Sequence, residues 1–371
     1  MGFFSKTVST AALLALIALG GCQGNVSVDD FFPKAEKPLP ADIVKTMNTK
    51  GMTKASPIMV RIYKQESLVE VWKATDTGRY ALLKEYEICK WSGKLGPKFA
   101  EGDRQAPEGF YDINPWQMNP KSNYYLAFNL GFPNAYDKAH GRYGTNLMVH
   151  GACSSAGCYS MTDDRIGEIF SLAREALEGG QKSFQVQAYP FKMTPENLAE
   201  RQNDPNFEFW KMLKEGYDHF EITRSPPKVD ICDKRYVFNR IAEDEKLFKP
   251  TEACPQTTVP YSLALAYGKH ISKEDEIFQK ALKSKAVKDL WAGKKPEETV
   301  HASLKPAEMP VGAPPQLPVT TTAATTPASG AIEPPAPDAA TALPSAQPAL
   351  PQSVPIPTPA AKRPLAANLT N

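Results

Sequence analysis

Between residues 57 and 135 the apolar positions come in short, β-rich blocks. Ile58-Met59-Val60-Arg61-Ile62-Tyr63 and Leu68-Val69-Glu70-Val71-Trp72 are separated by the polar Lys64-Gln65-Glu66-Ser67, a spacing that predicts a hairpin. Residues 80–89, a turn and short strand at 106–111, and segments 124–130 and 146–149 read as further strands. The period then changes. Ile166, Ile169, Phe170, Ala173 and Leu177 fall at i, i+3, i+4, i+7 and i+11, the stripe of an amphipathic helix. Thr162 is its expected N-cap, Asp163 and Asp164 suit the positive end, and Gly179-Gly180 stops it. Residues 183–189 return to strand, and helices are expected over 196–216 and 273–291, with a short one over 42–47. The pattern predicts an α+β, β-rich fold: a mixed-sheet domain with one helix directly after a cysteine-containing loop and helical additions on its C-terminal side.

Composition changes the picture at the two ends. Of 34 prolines in 371 residues, 16 fall in 301–371 together with 17 alanines, and that stretch has no Phe, Trp, Tyr or Cys. It cannot bury a core, so 302–371 is expected to be a disordered spacer. At the other end Lys6 precedes an almost uncharged run over 7–19, the form of an export signal and too short for a permanent membrane span. That run closes on Leu19-Gly20-Gly21-Cys22, which resembles the lipobox of bacterial lipoproteins. The resemblance makes Cys22 a lipid anchor and 1–21 a removed signal peptide. Gln23 after the anchor implies a periplasmic protein held at the outer membrane. The domain plan is then 1–21 signal, 22–56 anchor and linker, 57–190 catalytic domain, 191–301 mostly helical extension and 302–371 tail. A formal net charge of +2 argues against a nucleic-acid partner.

Candidate chemistry concentrates in His150-Gly-Ala-Cys-Ser-Ser-Ala-Gly157-Cys158. His150 closes the apolar run Leu147-Met148-Val149, and Cys158 lies just before the cap of the striped helix. The helix field and a nearby imidazole would both lower the thiol pKa. The Ser155-Ala156-Gly157-Cys158 turn would aim backbone N–H groups at a carbonyl oxygen, with Gly157 contributing to the oxyanion hole. A carbonyl near Gly151 would orient the imidazole, since no carboxylate suggests itself. Two other arrangements fit the same residues: a Cys153–Cys158 disulfide loop, or zinc held by His150, Cys153 and Cys158 with Cys89 or His140 as fourth ligand. The H-x2-C-x4-C spacing matches no common zinc pattern. No phosphate loop or dinucleotide fingerprint occurs, so no cofactor and no metal are expected.

Residues 57–190 resemble a YkuD-type L,D-transpeptidase catalytic domain, within it the YafK-like branch. The stretches that carry the resemblance are Ala106-Pro-Glu-Gly-Phe-Tyr111, Tyr124-Tyr-Leu-Ala-Phe-Asn-Leu-Gly-Phe-Pro-Asn-Ala-Tyr-Asp-Lys-Ala-His-Gly141 and Met148-Val-His-Gly-Ala-Cys-Ser-Ser-Ala-Gly-Cys-Tyr-Ser-Met-Thr-Asp163. The similarity continues more loosely to about residue 240. It implies a mixed-sheet or sandwich fold, Cys158 as nucleophile, His150 as proton donor and acceptor, Gly151 as its backbone orienter, and peptidoglycan stem peptides as substrate. Ala156 stands where the wider family often has His, and Ser160 where an Arg is common, so the substrate pocket is expected to differ. His140, 18 residues before Cys158, is a rival base. His140, Ser155, Arg142 and Tyr143 are candidate substrate contacts, Arg142 and Tyr143 otherwise reading as solvated loop residues.

With Cys22 lipidated and Cys158 reduced, Cys89, Cys153, Cys232 and Cys254 remain for two disulfides, Cys232–Cys254 and Cys89–Cys153. The expected activity is cysteine-dependent transpeptidation through a thioester on a diaminopimelate-containing peptide. The alternatives are hydrolysis at the same site, releasing protein or peptide linked to diaminopimelate, and a non-catalytic wall-binding lipoprotein. Partners on this reading are stem peptides, the membrane through the lipid, and a wall-linked outer-membrane protein.

Overall fold

A computed structural model describes residues 33–243, 246–292 and 304, all within one compact unit, Met1–Pro314. The signal segment 1–21, the anchor Cys22 and the tail beyond 304 lie outside the described residues. The elements in chain order are α1 (Ala41–Thr49), β1 (Ile58–Tyr63), β2 (Leu68–Ala74), β3 (Tyr80–Glu87), β4 (Lys90–Trp91), β5 (Gly109–Ile113), β6 (Met118–Asn119) and β7 (Ala127–Asn129). There follow α2 (Ala135–Ala139), β8 (Met148–His150), β9 (Tyr159–Ser160), α3 (Asp163–Glu178), β10 (Phe184–Tyr189), α4 (Pro195–Ala199), α5 (Phe207–Thr223), β11 (Val229–Cys232), β12 (Arg235–Phe238), β13 (Ile241–Ala242), β14 (Thr257–Thr258) and α6 (Tyr261–Trp291). Among the described residues no helix is long and apolar enough to cross a membrane.

Two five-stranded mixed sheets organise the α+β fold. The first runs β3-β2-β1-β10-β5, parallel only at β1–β10; the second runs β4-β9-β8-β7-β6, parallel only at β8–β9. The predicted hairpin is β1–β2, in register from Ile58↔Lys73 to Tyr63↔Leu68. One hydrophobic cluster joins Val60, Ile62 and Val186 of the first sheet to Phe128, Val149 and Tyr159 of the second, and takes in Ile166, Ile169, Phe170 and Ala173 of α3. The helical stripe read from the sequence is therefore the face α3 lays on this core. Thr162 Oγ1 accepts from Arg165 N–H at 3.5 Å, and α3 ends at Gly179.

The other face of the first sheet is covered by the C-terminal segments. Tyr63, Phe110 and Tyr189 pack with Phe191, Trp210, Leu213, Tyr236 and Phe238 in a second cluster. Gly216 makes the close approach of α5 to the sheet: a Cβ there would stand 2.4 Å from Phe110 Cζ and 2.5 Å from Phe238 Cε1. Side chains from residues 191–238 thus pack directly on the first sheet, inside the same compact unit. β1 is buried along its whole length because both faces are covered.

The helix expected over 196–216 is two helices, α4 and α5. Pro205 cannot continue a helix, and Asp204 turns the chain by accepting from Asn206 N–H at 2.8 Å. α6 begins at Tyr261, well before the expected 273. Its first turns bury little, with Tyr261 83% and Leu265 49% exposed, so they carry no strong apolar stripe.

Candidate active site

The second sheet places the candidate catalytic pair. β8 and β9 are parallel neighbours, with Val149 opposite Tyr159 and His150 opposite Ser160. Cys158 lies in the bend immediately before β9, next to Tyr159, so the pairing brings the turn that carries it against the strand that His150 ends. Adjacent parallel strands normally need a crossover of a dozen or more residues, yet only 151–158 join these two. The turn is tight enough to hold Ala152 (φ 61°), Cys153 (φ 47°) and Gly157 (φ 123°) in left-handed backbone. Tyr125 (φ 64°) and Asn146 (φ 56°), beside the same strands, are also left-handed. Such strained residues concentrate where the surrounding structure over-determines a site.

The turn is pinned from several sides. Cys153 is bonded to Cys89, with Cα atoms 5.4 Å apart, which ties the loop to the residue before β4. Cys153 N–H donates to Met161 O (3.2 Å), Cys89 N–H to Ser160 O (2.8 Å), and Ala152 N–H to the Asp163 carboxylate (2.8 Å). The Ser155 hydroxyl donates to Cys158 O (2.7 Å), lies 3.1 Å from Ser92 Oγ, and accepts from Gly157 N–H at 3.4 Å. Ser155, expected as a substrate contact, makes these contacts within the 155–158 turn and to Ser92. Gly157 suits its place because a Cβ there would stand 3.3 Å from Leu147 Cδ1, on a backbone few side chains tolerate.

His150 is buried, 3% exposed, and its Nδ1 is 2.6 Å from Gly151 O. An amide oxygen can only accept, so Nδ1 carries the hydrogen and Nε2 is left as the basic nitrogen. Gly151 is itself held by N–H contacts to Tyr124 O (3.0 Å) and Leu126 O (3.2 Å). Burial lowers the His150 pKa, partly offset by the Gly151 carbonyl. Cys158 is a free thiol, and its Sγ lies 3.6 Å from Asn146 O. The expectation of a lowered thiol pKa is corrected here. Burial pushes the Cys158 thiol up, against the opposing pull of the Met148 backbone and the Lys98 charge, and β9 separates it from the start of α3. Both shifts favour the uncharged forms, thiol and imidazole, at rest.

The remaining candidates are placed elsewhere. His140 caps α2, with Nδ1 3.0 Å from Tyr136 O and its ring 4.3 Å from that of Tyr136. Arg142 is no solvated loop residue: it is 8% exposed and bonded to Asp137 at 2.9 Å. Its guanidinium packs over the rings of Phe99, Tyr136 and Phe209, so it braces the fold from within. Tyr143 is 61% exposed. Cys232 pairs with Cys254, Cα atoms 5.0 Å apart. The Cys89–Cys153 bond sets aside both a Cys153–Cys158 loop and a zinc set needing the Cys153 thiolate. Asp218, His270 and Glu274 do converge between α5 and α6, but Lys214 Nζ already lies 2.6 Å from Asp218 and 3.0 Å from Glu274. That cluster is an ion-pair network with its cation built in.

Sequence reading missed Tyr124, Asn146 and Asp163 as parts of the site. The first two lie in segments that read as strands and Asp163 reads as suiting the positive end of the helix, although Tyr124 and Asp163 also fall in the stretches that carry the family resemblance.

No protein-family model matches the chain. It is 48% identical over 191 residues to the protein of Escherichia coli K12 named "Putative L,D-transpeptidase YafK", covering 52% of this chain and 77% of that one. The O157:H7 protein of the same name matches equally. Among solved structures, the helical cell shape determining protein Pgp2 of Campylobacter jejuni is 19% identical, with TM-score 0.30, over 52% of this chain and 80% of that chain. Bd1075 of Bdellovibrio bacteriovorus is 14% identical, with TM-score 0.27, over 48% and 78%.

Proposed function

This chain belongs to the YafK-like L,D-transpeptidase family, and from that membership we propose that it is a peptidoglycan enzyme whose nucleophile is Cys158 and whose base is His150. The observation that supports the roles is the β8–β9 pairing, which brings the turn carrying the free thiol Cys158 beside the strand ending at His150, whose Nδ1 meets Gly151 O and leaves Nε2 as the basic nitrogen. A neutral pair acts by general-base activation. The Cys158 thiol turns from Asn146 O toward His150, and Nε2 takes its proton as sulfur attacks the carbonyl on the L-centre of a diaminopimelate residue. The carbon–oxygen double bond opens to an oxyanion, which the backbone N–H groups of the 155–158 turn would stabilise. Collapse breaks the carbon–nitrogen bond, and the imidazolium returns its proton to the leaving amine. A second amine then attacks the thioester, giving transpeptidation and restoring the thiol.

Water in place of that amine gives the second reading, an amidase releasing protein or peptide from diaminopimelate. A lipid on Cys22 would hold the enzyme at the outer membrane, facing the periplasmic wall. Incubation with disaccharide-tetrapeptide and with protein-linked muropeptide, followed by product masses, separates crosslinking, release and mere binding. Cys158→Ala should abolish every product while leaving the fold intact; full turnover by that variant would end the thiol mechanism.

A further inference from the structure

The imidazole of His150 must become a cation when it takes the Cys158 proton, and it must do so in a buried place. Among the described residues no carboxylate is hydrogen-bonded to the ring; Nδ1 meets the Gly151 carbonyl. The other close group is an aromatic face. The Tyr124 ring lies over His150 with centroids 4.7 Å apart and planes tilted by 38°. Tyr124 is tied to the same backbone that holds the imidazole. Its N–H donates to Ser122 Oγ (3.0 Å), and its carbonyl accepts from Gly151 N–H (3.0 Å). Tyr125, next in the chain, takes the left-handed φ of 64°. Tyr124 O, Gly151 and the His150 ring thus form one hydrogen-bonded unit, which fixes the backbone from which the Tyr124 ring reaches the imidazole.

An aromatic face attracts a cation through its quadrupole and does so more strongly where water is excluded. We propose that Tyr124 is a positioning residue that stabilises protonated His150 through its ring face, supplying part of what a carboxylate supplies in a three-residue triad. This rests on the reading of His150 as the base for Cys158. The ring rather than the hydroxyl carries the effect, and half of the side chain stays in water. Tyr124→Leu separates the two jobs the ring does, because leucine still covers the imidazole but has no π face.

The test is the rate of Cys158 alkylation by iodoacetamide as a function of pH on the purified full chain, which needs no substrate, together with muropeptide turnover. Tyr124→Phe and Tyr124→Trp should keep the wild-type alkylation profile. Tyr124→Leu should slow alkylation near pH 7 roughly fivefold, the size of an ordinary cation–π contact. It should lower kcat by a similar factor with KM unchanged. Equal profiles for Leu and wild type would overturn the proposal, as would a loss in Phe as large as that in Leu. Absence of muropeptide turnover by the wild type would count against the function instead, leaving the alkylation comparison to judge Tyr124. If His150→Ala left alkylation unchanged, the premise itself would fall.

Discussion

Gly151→Ala is the sharpest single perturbation of the site. A Cβ at 151 would stand 2.5 Å from Asp163 Oδ1, 2.9 Å from Tyr124 O and 3.0 Å from Tyr125 Cβ. Side-chain rotation relieves only part of this. Asp163 Oδ1 is held by Ala152 N–H at 2.8 Å, and Tyr124 O is backbone, already 3.0 Å from Gly151 N. Residue 151 must therefore move by several tenths of an ångström, lengthening its N–H contacts to Tyr124 O and Leu126 O. Overpacking of this kind costs about 1–3 kcal/mol, and a weakened hydrogen bond adds about 0.5–1.5 kcal/mol, so we expect a loss of about 1.5–4.5 kcal/mol. The same movement carries away the carbonyl that fixes His150 Nδ1. Urea unfolding at pH 7 should report the stability loss, and iodoacetamide alkylation of Cys158 should lose its dependence on His150. A variant within about 0.5 kcal/mol of wild type, with unchanged alkylation, would refute the account of Gly151 as a steric keystone.

Two further outcomes follow from buried charge. Lys64 and Glu108 are fully buried and 2.9 Å apart, Lys64 also donating to Gly96 O and Ala106 O and Glu108 accepting from Gly96 N–H and Trp210 Nε1–H. Lys64→Met should cost about 3–5 kcal/mol in urea unfolding by stranding the carboxylate, and adding Glu108→Gln should restore much of it; a cost under about 1 kcal/mol in the single variant would contradict this. Burial pushes His219 down to about 4, with Asp218 opposing and Arg240 reinforcing the shift, and its Nδ1 lies 2.8 Å from Asn239 Nδ2. A depressed folded-state pKa means stability present above the unfolded value near 6.5 and lost as pH falls toward 4, worth roughly 3 kcal/mol. Wild type should lose that much more than His219→Gln between pH 7 and 4, and a pH-independent difference would contradict it.

How far the sequence could be read depended on whether a feature was local. The α3 stripe, its Thr162 cap and the β1–β2 hairpin are set by neighbours along the chain, so period and turn chemistry sufficed. The break between α4 and α5 was local too, at Pro205, but a predominantly helical pattern on either side masked it. The two-residue strands β4, β6, β9, β13 and β14 leave no period to read, because each exists only where another part of the chain offers it a partner. Arg142 illustrates the opposite limit. Its Gly-bounded setting looked solvated, and only the convergence of Phe99, Tyr136 and Phe209 from three separate segments buries it.

The sequence by itself determined the chemistry on offer: one imidazole at a strand end, one cysteine behind a glycine turn, and four other cysteines in the folded region. Those facts are covalent and local. Tertiary structure decided what they amount to. The parallel β8–β9 pairing brings His150 beside the turn that carries Cys158, Cys89 reaches across 64 positions to hold Cys153, and burial pushes the thiol pKa up. Desolvation and cross-strand register are properties of what surrounds a group, and the surroundings come from segments distant in the chain.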